Sequence, residues 1–137
     1  MILVDTGPLV GLFDPADASH KRCQEILATV AEPLCTTVPV LTEAFHLLNP
    51  ESIGAQRLMD FVSAKGLSLW YLNDQALTRA FALMVRYADH PMDLADASLV
   101  VLAEASRSHK IFTIDRSDFA TYRIQIGHYQ SAFEMLG

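Results

Sequence analysis

The sequence predicts an α/β protein, a three-layer α/β/α sandwich around a mainly parallel central sheet of four to five strands. Three observations lead there. Short apolar runs alternate with longer segments of helical period, the pattern of a parallel sheet with crossover helices. No internal repeat, low-complexity tract or linker interrupts that alternation. The 137 residues are 51% apolar and 19% charged, enough for an ordered core and the usual size of one domain, taken as residues 1–137.

Ile2–Val4 reads as a buried strand ending at Asp5, followed by a Gly7-Pro8 turn signal. Cys23, Ile26, Leu27 and Val30 fall at helical spacing. Leu34–Thr36 is a second strand, after which Thr37 serves as N-cap with Pro39 in the first turn. The helix it opens turns Val40, Leu41, Ala44, Phe45 and Leu48 inward. A further helix spans about Ile53–Ala64 with Gly66 as its C-cap. Leu67–Leu72 is a third strand, and Asn73 or Asp74 caps a helix with an inner face of Leu77, Ala80, Phe81, Met84, Val85 and Ala88. Asp93–Ser106, apolar nearly all round, is a buried helix. Ile111–Ile114 is a fourth strand ending at Asp115, and Arg123–Ile126 a fifth at an edge.

Composition narrows the function. Ten Lys and Arg face sixteen Asp and Glu, a net charge of −6. Binding to nucleic acid by phosphate neutralisation alone favours a basic chain, so any action on RNA here needs metal ions to offset local negative charge. Cys23 and Cys35 form no C-x-x-C and read as reduced core thiols. The five histidines are scattered, which argues against a zinc centre and suits surface or capping positions. No secretory leader pattern opens the chain and no run is long enough to span a bilayer, so a soluble cytoplasmic protein without membrane contact is expected.

The topology assigns a chemistry to particular acids. In a parallel sheet the carboxyl ends of the strands share one edge, where open α/β sheets bind ligands. Asp5 and Asp115 terminate strands at that edge. Glu43 lies in the early turns of a helix that begins there, and Asp96, with Asp93, lies in the first turn of the helix preceding strand four. Two carboxylates about 4 Å apart repel by roughly 4 kcal/mol at an effective dielectric near 20, so four together take up protons or a cation. All-oxygen ligands favour Mg²⁺ or Mn²⁺ over zinc, and such an ion supports phosphodiester hydrolysis. Each acid has a plainer role open to it: Asp5 as a turn former, Glu43 on a solvated flank, Asp96 as a helix-dipole partner, Asp93 as an N-cap, Asp115 and Asp118 as loop or capping residues. A dehalogenase-type phosphatase needs a second Asp where Gly7 stands, and a phospho-receiver needs an acidic pair and a late Lys that are missing.

These segments resemble the PIN-domain family, and within it the VapC-type toxin ribonucleases. Ile2-Leu-Val-Asp5-Thr6 resembles the family's first strand and first catalytic Asp, and Thr42-Glu43-Ala44 its helical Glu motif. Asp96-Ala-Ser-Leu-Val-Val-Leu-Ala103 resembles the segment with the third acid, and Thr113-Ile-Asp115-Arg116-Ser-Asp118-Phe119 the motif with the fourth. The resemblance implies a PIN-like fold and a Mg²⁺- or Mn²⁺-dependent endoribonuclease in which Asp5, Glu43, Asp96 and Asp115 are both catalytic and metal-holding. It implies that Thr6 and Thr113 orient water or phosphate, and that the protein dimerises and is inhibited by a small antitoxin. Arg116 is the candidate phosphate contact, while Asp93 and Asp118 add charge beside the site. The alternatives are a housekeeping PIN nuclease without an antitoxin and an inert PIN-like module that binds RNA or protein.

Overall fold

A computed structural model describes residues 1–137. The elements in chain order are β1 (Ile2–Val4), α1 (Thr6–Phe13), α2 (His20–Thr29), β2 (Leu34–Thr37), α3 (Val38–Leu48), α4 (Ile53–Ser63) and β3 (Ser68–Trp70). They continue with α5 (Asp74–Arg86), α6 (Leu94–Ser106), β4 (Lys110–Phe112), α7 (Arg116–Thr121), β5 (Arg123–Ile126), β6 (Tyr129–Ala132) and β7 (Glu134–Leu136). Five strands form a wholly parallel sheet in the order β3-β2-β1-β4-β7, flanked by helices. From β1 the chain winds outward to β2 and β3, then returns to β4 on the other side. The order therefore reverses between β1 and β4, and a crevice opens at the carboxyl ends of those two strands.

The central strands are short and almost inaccessible, as parallel strands covered on both faces must be. Leu3, Val4, Ile111 and Phe112 have no exposed surface. The helix α6 is buried from Ala97 through Ala103 and packs against α5, α3, β2 and β5. Both cysteines are buried and unpaired.

Several local expectations change. The Gly7-Pro8 pair does not make a loop turn; it lies in the first turn of α1, where proline costs no helical hydrogen bond. A Cβ on Gly7 would stand 2.5 Å from Ile114 Cγ1, so glycine is what lets α1 approach the segment after β4. At the end of α4 the left-handed residue is Lys65, with φ 65°, while Gly66 donates to Phe61 O. Glycine at 66 makes room for the Phe61 ring. Strand β3 is three residues long, and β4 ends at Phe112, so Asp115 lies in the connection to the short helix α7.

The inner line of α5 is Ala76, Ala80 and Leu83, with Phe81 51% and Val85 78% exposed. Its apolar arc is therefore wider than the arc it buries. The segment 123–126 does form a strand, but in a separate hairpin with β6 through Gly127, whose φ of 59° suits a two-residue loop. The fifth strand of the main sheet is β7, which pairs with β4.

Candidate active site

The register of the parallel sheet sets the site. Val4 pairs with Phe112 and Leu3 with Cys35, so the next step along each strand brings Asp5 beside Thr113 and Thr37. The ladder continues into this row: Asp5 N donates to Phe112 O at 3.0 Å, and Thr113 N donates to Leu136 O of β7 at 3.0 Å. Thr113 Oγ1 then donates to Asp5 Oδ2 at 2.9 Å, and Thr6 N donates to Asp5 Oδ1 at 2.8 Å. On the other side, Thr36 Oγ1 donates to Val4 O at 2.7 Å. Ser98 Oγ gives its proton to Ala95 O, leaving Thr37 Oγ1 as the donor in the 2.6 Å contact between the two hydroxyls. A row of buried hydroxyls thus ties the start of α3 to the first turn of α6, with Asp5 at its centre.

Asp5 is only 7% exposed, and burial pushes its carboxyl up to about 6. The Thr6 and Thr113 hydrogen bonds oppose that rise, while the charges of Glu43 and Asp115 add to it. Asp96 goes further, to about 8, first through burial and then through the negative charges of Asp93 and Asp5. A hydrogen bond from Tyr122 Oη to Asp96 Oδ2 at 2.9 Å partly offsets this, and Asp118 adds repulsion. Asp5 is therefore the electrical hub: it feels Glu43 and Asp115, and Asp96 feels it.

The remaining residues are held less tightly. Glu43 makes no hydrogen bond within the chain and faces an open groove of about 670 Å³ between α3 and the start of α6, lined also by Val38, His46, Asp93 and Leu94. Asp93 is the N-cap of α6, its carboxylate accepting from Asp96 N at 2.8 Å. Asp115 is exposed and accepts from Ser117 Oγ at 3.2 Å. Arg116 donates Nη1 to Gly137 O at 2.7 Å, so part of its guanidinium is spent on holding the last strand against α7. Asp118 pairs with His90 Nε2 at 2.6 Å; burial raises its carboxyl and His90 opposes the rise.

Sequence reasoning missed Tyr122 and His90. Both lie outside the four motifs, and only the fold brings their rings edge to face, 5.8 Å apart, behind Asp96. The one available signal was an aromatic residue one turn beyond Asp118, too common to weigh.

The donor chemistry suits a hard divalent cation: several carboxylates, hydroxyls, and no thiol or imidazole in the row. Thr6 Oγ1 is buried with no partner, an orphaned oxygen directly beside Asp5. No three His, Cys, Asp or Glu side chains are arranged to enclose an ion by themselves. Mg²⁺ is commonly held by one or two carboxylates and keeps several waters, so these residues fit it without an all-protein cage.

No family model matches the chain. It is 26% identical over 125 residues to Ribonuclease VapC26 of Mycobacterium tuberculosis, which covers 89% of this chain and 92% of that protein. The crystal structure of Mycobacterium tuberculosis VapC20, a sarcin-ricin-loop-cleaving toxin, superposes with a TM-score of 0.77 at 20% identity, covering 86% of this chain and 94% of that one. A toxin–antitoxin complex from Klebsiella pneumoniae gives 0.69 at 20% identity, over 88% and 92%. The resemblance to VapC-type PIN toxins therefore holds in sequence along most of the chain, and the fold is theirs.

Proposed function

We propose that this chain is a single-domain PIN endoribonuclease that hydrolyses RNA phosphodiester bonds with Mg²⁺ or Mn²⁺, and that it is the toxin of a toxin–antitoxin pair. The observation that carries the reading is Asp5: a buried carboxylate held by Thr6 and Thr113 at the point where the sheet order reverses, with other acids raising its proton affinity. Asp5 and Asp96, raised by burial and with no Lys or Arg bonded to either, would be stabilised as anions by a cation beside them.

In this reading Asp5 and Asp96 form the inner part of the ion site, and Glu43 and Asp115 complete it from α3 and the β4–α7 connection. When bound, the ion supplies Lewis acidity and charge neutralisation at the scissile phosphate. Thr113 holds Asp5 by a hydrogen bond, and the unpartnered hydroxyl of Thr6 would orient a water or a phosphate oxygen. Asp93 fixes the first turn of α6 and so the height of Asp96. Arg116 offers its remaining N–H groups to RNA phosphate, and Asp118 keeps His90 in place. The ribonuclease relatives and the toxin–antitoxin neighbour support an RNA substrate and an antitoxin partner. Exposed Phe81 and Val85 on α5 are consistent with burial in a homodimer, and no helix is long and apolar enough to cross a membrane. A cytoplasmic site of action follows from an RNA target.

The test is cleavage of a structured RNA by purified protein with Mg²⁺ or Mn²⁺. Chelation and Asp5→Ala should each remove the activity. Cleavage unchanged in both Asp5→Ala and Asp96→Ala would sink the site assignment.

A further inference from the structure

Behind Asp96 lies a residue whose placement solves a problem of the first turn of α6. Asp93 is the N-cap, so Asp96 occupies the third helical position. An acid there ordinarily reaches back to the N-cap backbone N–H and closes a capping box. Asp96 does not do so; its Oδ2 accepts from Tyr122 Oη at 2.9 Å instead. Only Asp93 caps, through Asp96 N at 2.8 Å.

Tyr122 is itself enclosed. It has no exposed surface, and its ring meets Tyr87, Phe119 and His90 edge-on at centroid distances of 5.2, 5.3 and 5.8 Å. His90 is pinned by Asp118 at 2.6 Å, and Tyr122 N donates to Asp118 O at 3.1 Å. These contacts are made by the Tyr122 ring and would be kept by phenylalanine; the one hydrogen bond of its hydroxyl is to Asp96. With Oδ2 occupied, Oδ1 is the oxygen of Asp96 that no group of the chain engages.

We infer that Tyr122 is a positioning residue of the divalent-ion site: its hydroxyl draws Asp96 out of the capping role and presents one carboxylate oxygen toward the site. This rests on the proposed role of Asp96 as an ion ligand. Groups that orient a ligand from behind typically contribute ten- to hundredfold to ion affinity.

Tyr122→Phe keeps the ring and removes the hydroxyl. Manganese binding to the RNA-free protein, followed by calorimetry or by the resonance of free Mn²⁺, should weaken by about tenfold to a hundredfold. Asp96→Asn should weaken it further, and the double variant should be no worse than Asp96→Asn alone. A Tyr122→Phe affinity within about twofold of the parent, while Asp96→Asn is impaired, overturns the inference and leaves the ion site standing. Parental affinity in Asp96→Asn overturns both. A purely structural hydroxyl would lower the melting temperature and leave the Mn²⁺ affinity alone. The unmutated chain gives a second readout should the variant fold poorly. Mg²⁺ titration should shift the Tyr122 ring resonances with the midpoint of ion binding, and resonances unmoved at saturation overturn the inference.

Discussion

The two edges of the same sheet carry acids under opposite conditions. At the amino-terminal edge Glu32 accepts from Lys110 Nζ at 2.5 Å and from the Met1 ammonium at 3.0 Å. Its side-chain bonds to those two cations hold its carboxyl below the ordinary range. At the carboxyl edge Asp5 and Asp96 have hydroxyl and amide donors but no cation, and burial raises them to about 6 and about 8. The first arrangement is paired with cations and open to solvent; the second is buried at Asp5, half-buried at Asp96, and short of positive charge. The opposite signs of the two shifts suit the division proposed above, a carboxyl edge that takes up a cation and an amino-terminal edge that holds the fold together.

The comparison breaks most visibly if the carboxyl edge proves dispensable. Asp5→Ala should cut RNA cleavage by about a thousandfold, as expected when several kcal/mol of charge stabilisation at the phosphate are lost. Lys110→Met at the other edge should leave the cleavage rate unchanged. Single-turnover cleavage of one RNA by both variants decides this, and equal losses would erase the distinction between the edges.

Stability against pH sharpens it, because the signs differ. Asp5 and Asp96 have folded-state values above the ordinary one, so the stability they lend is fully present below about pH 4. It is lost as pH rises through about 6 and about 8. Without metal, these acids should make the melting temperature fall from pH 5 to pH 9. Added Mg²⁺ should restore it, with a larger increment at pH 9 than at pH 5. Glu32 is shifted the other way and contributes its stability above the ordinary carboxylate range, losing it on acidification. Each pH unit of separation is worth about 1.4 kcal/mol, so Asp5→Asn should stabilise the metal-free protein at pH 8 by roughly 2–3 kcal/mol. Thermal or urea melts check it, and a destabilised Asp5→Asn at that pH would contradict the buried-anion account.

Glu43 tests the inner against the outer acids. It has no hydrogen bond to lose and faces an open groove, so Glu43→Gln should leave the metal-free melting temperature within about 2 °C of the parent. Cleavage should still fall, by about tenfold to a hundredfold. A stability loss as large as a core substitution would mean that Glu43 serves the fold.

Where the acids stand was legible because a strand's end is marked by the residue that stops its apolar run. Ile2-Leu-Val before Asp5 located that acid, and parallel winding then placed Glu43, Asp96 and Asp115 at the same edge. What escaped depended on packing. The Gly7-Pro8 pair looks like a loop turn until the nearness of Ile114 shows why glycine must begin α1. The alternation in Arg123–Ile126 suits any edge strand, so nothing local told it from β7, whose Leu136 carbonyl secures Thr113. Phe81 and Val85 share the helical period of Ala80, and only the width of the α5–α6 contact leaves them outside. Tyr122 has no motif of its own; its role exists only where its hydroxyl meets Asp96.

The smallest effect expected is at the amino-terminal edge. Lys110 and Glu32 are 40% and 39% exposed, so solvent screens their attraction and each long side chain gives up rotamer freedom to hold the pair. Lys110→Met keeps an aliphatic stem at the start of β4 and removes only the charge. Glu32 retains the Met1 ammonium as a partner, and no carboxylate is left buried and alone. The melting temperature should therefore move by about 2 °C or less, and that small shift should vanish in high salt. A shift as large as that of Asp5→Asn, surviving high salt, would mean that exposed and buried acids of this sheet are governed by the same balance.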